Sequence, residues 1–433
     1  MSSAENQFEP PERGSLVSDV KLTYASRMVA LALAFATTVI VARFLGPGGR
    51  GSVAVAFGLT QLLAQVGTLG LIAANPYFLA RGSLRAEQLI GASVVCTLVL
   101  GPPLVAAGLL LRVLLPDAVE GLPMLELFVA LIALPALLAT QFLQSILLGA
   151  GRMVAYNAIE AGVAAATLAA LLMGLGVLDG GPLAALGIAT GCSYAGLASC
   201  AVALRRGGRG MTWPGRAVLR LLIGYGFRIY IATLLSFALI RVDLLLVNAY
   251  LGPGDAGIYS VATAIATGLS VLPAVVGLNL FTRVAAGGGA PLTGLVLRVT
   301  APVFALFCLI SVPAAGWLIS PVFGTEFSEA AELYFWIVPG VFSLGMLTIL
   351  SHHFAGEGFP VEAMVVWVAG LAVNVAINLV FLKQGAWVAS LSSSVAYTLV
   401  LMLHVRLFAA RSGLEPLRPR LSDLSAVRAA LRP

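Results

Sequence analysis

Apolar residues gather in twelve long runs bounded by charges, Gly or Pro. The first six are Leu22 to Phe44, Ser52 to Phe78, Leu89 to Arg112, Pro123 to Leu148, Tyr156 to Leu178 and Pro182 to Leu204. The second six are Leu221 to Tyr250, Ala256 to Phe281, Leu295 to Ile319, Ala331 to Phe354, Val361 to Leu382 and Ala386 to Leu407. A bilayer core about 30 Å thick takes roughly 20 helical residues per crossing, so each run is long enough to span. None shows the short alternating pattern of a membrane barrel. The loops between runs are short, which leaves no embedded soluble domain.

A repeat organises these runs. Leu45-Gly46-Pro47-Gly48-x-x-Gly51 recurs as Leu251-Gly252-Pro253-Gly254-x-x-Gly257, an offset of 206. The same offset carries the boundaries of the first six runs onto those of the second six to within about three residues, except that the seventh begins early. It also pairs Ser145 with Ser351. Six crossings per half insert both halves in the same orientation, so a pseudo-two-fold axis along the membrane normal relates them. The predicted fold is an all-α polytopic membrane protein with twelve transmembrane helices in two six-helix bundles. Its parts are a cytoplasmic tail (1–21), an N-terminal bundle (22–204), a basic cytoplasmic linker (205–220), a C-terminal bundle (221–407) and a basic cytoplasmic tail (408–433).

Charge supplies the orientation. With the N-terminus inside, eighteen Lys and Arg fall on the cytoplasmic side against four outside, the bias that sets topology. Composition agrees with a membrane solvent, since 60% of the 433 residues are hydrophobic and 10% charged. The acidic start, with Glu5, Glu9, Glu12 and Asp19, does not resemble a cleaved signal peptide, and a bacterial cytoplasmic membrane with both termini inside is the expected location. The net charge of +6 points to no nucleic-acid partner; the basic linker and tail instead meet anionic lipids. Cys96, Cys192, Cys200 and Cys308 lie in apolar runs and suggest neither disulfides nor a metal site.

Enzymatic signatures are missing. No Gly-Lys dipeptide occurs, so no P-loop is present, and His352, His353 and His404 form no His-Glu-x-x-His motif. The expectation is a protein that is no enzyme and holds no cofactor. Ionisable groups inside spans are costly unless they face a cavity or a partner. Arg27 lies in span one, Arg228, Arg241 and Asp243 in span seven, and Glu160 in span five with Asn157 a turn earlier. At offset 206 they pair with Thr233, Phe35, Thr37 and Val366 for Arg27, Arg241, Asp243 and Glu160, so charge sits where the halves differ. Arg27, Arg228 and Arg241 suit an anionic group such as a phosphate; the alternative for Arg27, Arg228 and Glu160, near cytoplasmic helix ends, is to snorkel to the headgroups. Asp243, Glu160 and Asn157 either neutralise the arginines or take a coupling H+ or Na+. Pro135, Pro273 and Pro339 break spans four, eight and ten and are candidate hinges.

The stretch Ala42-Arg43-Phe44-Leu45-Gly46-Pro47-Gly48-Gly49-Arg50-Gly51, with Gly67-Thr68-Leu69-Gly70-Leu71 after it, resembles the opening of bacterial polysaccharide-precursor exporters of the O-antigen flippase type. So does Arg241-Val242-Asp243-Leu244-Leu245-Leu246-Val247 leading into Leu251 to Ser260. The resemblance covers the twelve-span layout and places the chain in the multidrug, oligosaccharidyl-lipid and polysaccharide exporter superfamily. It implies two bundles around a V-shaped cavity and ion-coupled flipping of undecaprenyl-diphosphate-linked glycans by alternating access. It also implies that Arg27 is similar to cavity arginines that attract the lipid diphosphate, and Asp243 to the acid of an Arg-x-Asp pattern; Arg228, Glu160 and Asn157 match no family motif. The expected partners are a lipid-linked anionic oligosaccharide and the glycan polymerase or glycosyltransferases that handle it, with the chain a monomer. A cation-coupled multidrug exporter is the alternative within the superfamily, and a membrane glycan polymerase or ligase the alternative from another class.

Overall fold

A computed structural model describes residues 16–208, 210–285, 289–356 and 360–417. Among them are thirteen α-helices: α1 Leu16–Gly67, α2 Leu71–Ala80, α3 Ala86–Leu114, α4 Met124–Gly149, α5 Met153–Gly176, α6 Pro182–Arg206, α7 Arg216–Leu251, α8 Pro253–Leu269, α9 Val271–Ala285, α10 Gly289–Phe323, α11 Ala330–Gly356, α12 Val361–Phe381 and α13 Trp387–Ser412. Hydrocarbon offers the backbone no hydrogen-bond partner, so a chain this apolar closes its bonds within helices. Large apolar side chains such as Leu98, Leu309 and Trp317 point outward, Trp317 at 84% exposure, because the surrounding solvent is lipid.

Eleven of the described helices are long and apolar enough to cross a membrane. The first has an apolar stretch of 40 residues, about 60 Å at 1.5 Å per residue, twice the thickness of a bilayer core. Gly46 interrupts it with φ 63° and ψ −177°, so α1 holds two crossings and the described residues make twelve. Gly252, at φ 89° and ψ 177°, makes the same turn between α7 and α8. Both positions need the left-handed region that only glycine enters without strain. Span two continues past a break at Thr68 to Gly70 into α2, and span eight is the pair α8 and α9, broken at Ser270.

Shifted by 206, the bounds of α3, α4, α5 and α6 meet those of α10, α11, α12 and α13 to within three residues. Each half has its own core. Leu127, Leu134, Leu138 and Phe142 centre the first, and Phe304, Phe323, Tyr334 and Phe354 the second, which Ala42, Ala54 and Val55 of α1 join. The helices outrun the apolar pattern at the linker. Because α6 ends at Arg206 and α7 begins at Arg216, the connection is residues 207–215; arginines at the headgroup level continue a helix at little cost. Thr212 N–H donates to Glu87 O at 3.1 Å, strapping this connection to the start of α3. The tail from Arg418 onward and residues 1–15 lie outside the described residues.

Candidate functional site

Asp243 is fully buried in α7, nine residues or about 14 Å from the turn at Gly252. Four neutral side chains from three other helices donate to its carboxylate: Asn378 Nδ2 at 2.9 Å, Asn374 Nδ2 at 3.3 Å, Tyr259 O–H at 3.3 Å, and Ser393 O–H. Ser392 Oγ links the two asparagines, at 3.3 Å from Asn374 and 2.7 Å from Asn378. Hydrogen bonds to a charged group contribute about 1.5 to 3 kcal/mol each, and such a set can hold a carboxylate without a basic partner. The Oδ1 of Asn378 is buried beside it with no hydrogen-bond partner. Carboxylate, amide and hydroxyl oxygens around one orphaned acceptor fit a proton or a hard monovalent cation.

The N-terminal half has no counterpart of this cluster. Tyr259, Asn374, Asn378, Ser392 and Ser393 correspond at offset 206 to Val53, Leu168, Leu172, Leu186 and Gly187. Sequence inspection singled out Asp243 but not these partners. Asn374 and Asn378 stand four apart on one face of α12, a polar pair in an apolar span that marks the site in hindsight.

The other predicted groups are dispersed. Arg241 lies over the Phe237 ring, 5.6 Å from its centroid, and its Nε is buried with no hydrogen-bond partner. It is close enough to Arg50 of α1 for the two guanidinium groups to repel. Arg50 is partly buried in α1, and its Nε donates to Ser260 Oγ at 3.0 Å. Asp243 therefore takes its hydrogen bonds from neutral groups, while two arginines sit together where the halves meet. Asn157 is buried and Glu160 half-buried, both on α5 of the other bundle, apart from the Asp243 cluster. Arg27 and Arg228 stand in α1 and α7, and their side chains lie outside the described residues. The helices α4 and α11 continue through Pro135 and Pro339, and Pro273 opens the first turn of α9 just after the Ser270 break.

The two halves touch at both ends. At the turn end a Cβ on Gly51 would stand 1.7 Å from Pro253 O, and one on Gly257 would stand 2.0 Å from Pro47 O. The contact is reciprocal at offset 206, so the pseudo-two-fold axis passes between Gly51 and Gly257. Arg43 Nε donates to Val322 O at 2.7 Å, and Asn248 Nδ2 to Glu120 O at 3.1 Å, closing the same end. At the linker end a Cβ on Gly226 would meet Gly70 O at 2.4 Å. Tyr230 O–H donates to Val66 O at 2.8 Å, and Tyr77 stacks on Tyr225 at 4.0 Å.

The family model described as polysaccharide biosynthesis protein matches residues 16–279. No curated protein sequence matches the chain. Among solved structures, the lipid II flippase MurJ in an inward closed conformation is similar at 12% identity and a TM-score of 0.73, covering 95% of this chain and 93% of that one. An inward-facing multidrug resistance MATE family transporter of the MOP superfamily is similar at 13% identity and a TM-score of 0.65, covering 93% and 96%. A MOP superfamily transporter from Pyrococcus furiosus, whose structure is described by a reverse polarity of its binding pocket, is similar at 15% identity and a TM-score of 0.64, covering 93% and 97%. Together these fix the fold as that of MurJ and the MATE proteins, with twelve transmembrane helices in two bundles.

Proposed function

We propose that this chain, which belongs to the polysaccharide biosynthesis protein family, is a flippase that moves an undecaprenyl-diphosphate-linked oligosaccharide from the inner to the outer leaflet of the bacterial cytoplasmic membrane. The turn end faces outward in this reading and both termini face the cytoplasm, as the distribution of Lys and Arg requires. The observation that carries it is the pair of partly buried guanidinium groups, Arg50 and Arg241, where the halves meet. Arg241 keeps a buried Nε with no acceptor and has Arg50 for a neighbour. A buried N–H donor without a partner costs about 1 to 3 kcal/mol, a deficit that an incoming diphosphate removes, and the guanidinium fork fits phosphate oxygens. Arg27 and Arg228 add to the attraction.

Coupling to H+ or Na+ through Asp243, Asn374 and Asn378 gives the cycle its driving force. Loading the site changes the charge at the centre of the C-terminal bundle, and a bundle that prefers one orientation when loaded and another when empty rocks against its mate. The decisive experiment is complementation of a strain lacking the protein. Arg27→Ala and Arg241→Ala, each confirmed as inserted, are expected to reduce surface glycan at least tenfold and to let the lipid-linked precursor accumulate. Full glycan export with both variants would overturn the proposal, and a change in drug resistance without glycan loss would favour the multidrug exporter.

A further inference from the structure

Between α7, α11 and α12 lies a cavity of about 290 Å³ whose walls include Thr233, Ser236, Thr348, Ser351, His352 and Trp367. None of its described lining residues is charged. It belongs to the linker-end half of the C-terminal bundle, because Thr233 is eighteen residues, or about 27 Å, from the turn at Leu251.

The hydrogen bonding of the walls selects a ligand. Thr233 O–H donates to Ile229 O at 2.8 Å, Ser236 O–H to Thr233 O at 2.9 Å, and Thr348 O–H to Leu344 O at 2.8 Å. The Nδ1 of His352 lies 2.8 Å from Thr348 O; a carbonyl only accepts, so Nδ1 carries the proton and Nε2 of the neutral ring is an acceptor. Each of these groups has spent its proton within its own helix and has lone pairs left to offer. Ser351 Oγ is buried with no hydrogen-bond partner at all. A ligand must therefore bring several O–H or N–H donors and one acceptor. An ionised phosphate brings no donor, whereas sugar hydroxyls are donors and acceptors at once, and the Trp367 ring supplies an apolar face of the kind such pockets use for the body of a ligand.

The repeat shows that this arrangement is particular to one half. In the N-terminal bundle Ser145, the counterpart of Ser351, receives a hydrogen bond from Asn75 Nδ2 at 3.0 Å. The counterpart of Asn75 is Phe281, which has no donor, and Ser351 is left unmatched. Thr233 in turn holds the register position that Arg27 occupies in α1. At this one register position the first half carries a basic residue and the second a neutral hydroxyl. Gly277 makes room for the imidazole, since a Cβ there would stand 2.7 Å from His352 Nδ1.

We propose that this cavity is the subsite for an uncharged sugar residue of the lipid-linked glycan, the unit nearest the diphosphate, because Ile240 of its wall adjoins Arg241 in α7. The inference rests on the flippase reading above. It is tested with the purified full-length protein by measuring affinity for undecaprenyl diphosphate and for the same lipid bearing one glucose, galactose or N-acetylglucosamine. The expected result is that at least one glycosylated lipid binds about tenfold more tightly than the bare lipid. Thr233→Val combined with Ser351→Ala removes that advantage and leaves binding of the bare lipid unchanged, while Thr233→Ser retains it. Equal binding of bare and glycosylated lipids by the unaltered protein overturns the inference alone, as does a double variant that weakens both alike. Failure of the unaltered protein to bind any of the four overturns the flippase reading and the inference with it.

Discussion

A carboxylate that no cation neutralises survives in a bilayer only if its donors are numerous and fixed. Asp243 has four, delivered by α8, α12 and α13, so the cost of its burial is spread over four helices. Asn378 is the member with two duties, bonding Asp243 Oδ1 at 2.9 Å and Ser392 Oγ at 2.7 Å. Asn378→Leu is expected to remove about 1 to 3 kcal/mol of stability by leaving a buried acceptor unpaired, seen as a lowered unfolding midpoint in detergent. Asp243→Asn preserves shape while removing the charge. It should leave a well-folded protein whose transport in proteoliposomes falls at least tenfold and no longer responds to an imposed sodium or proton gradient; an unchanged response would exclude this residue from coupling. Depth in a span made Asp243 and Arg241 legible from the sequence alone. Their surroundings were not, because Tyr259, Asn374 and Ser393 are uncharged, lie up to 150 residues away, and are tolerated singly in any membrane helix.

At the scale of elements, the Leu-Gly-Pro-Gly turns were the most legible part of the molecule. Their backbone requirement is local, since Gly46 and Gly252 take positive φ and Pro253 opens α8 where its missing N–H is harmless. What the pattern did not disclose was that the last glycine of each motif serves the other half. Gly51 and Gly257 are small because each helix presses on the opposing carbonyl, the use small residues commonly have between membrane helices. The turn also supplies its own control, because a Cβ at Gly48 or Gly254 meets nothing within 4 Å. Gly51→Val or Gly257→Val is expected to prise the turn end open, raising thiol-reagent labelling of a cysteine placed at Ser260 several-fold and reducing transport. Gly48→Ala and Gly254→Ala should change neither. The breaks at Thr68 to Gly70 and at Ser270 were less legible. Gly and Pro are frequent in membrane helices for packing reasons, and the sequence does not separate those that interrupt a helix from Pro135 and Pro339, which α4 and α11 absorb.

At the scale of the molecule, duplication created two bundles of equal layout, and divergence then gave them different contents. The Asp243 cluster and the hydroxyl-lined cavity are in the second bundle, while Arg50 of α1 reaches across from the first to Ser260. A carrier built this way must separate the halves at one end before cargo can leave, and the structure has contacts at both: Gly51 against Gly257 with Arg50 on Ser260 at the turn end, and Gly70 against Gly226 with Tyr230 on Val66 at the linker end. If the halves rock as rigid bodies, a short covalent tie across either seal is fatal and a long one is not. Arg50→Cys with Ser260→Cys provides such a tie at the turn end, after the four native cysteines, Cys96, Cys192, Cys200 and Cys308, are replaced. Bridging the pair with a short reducible bis-thiol reagent is expected to lower transport at least tenfold, with recovery on reduction, whereas a long flexible reagent leaves most activity. Full transport with quantitative short bridging would mean that cargo crosses without opening the turn end, and the motion would have to be sought within a bundle rather than between the two.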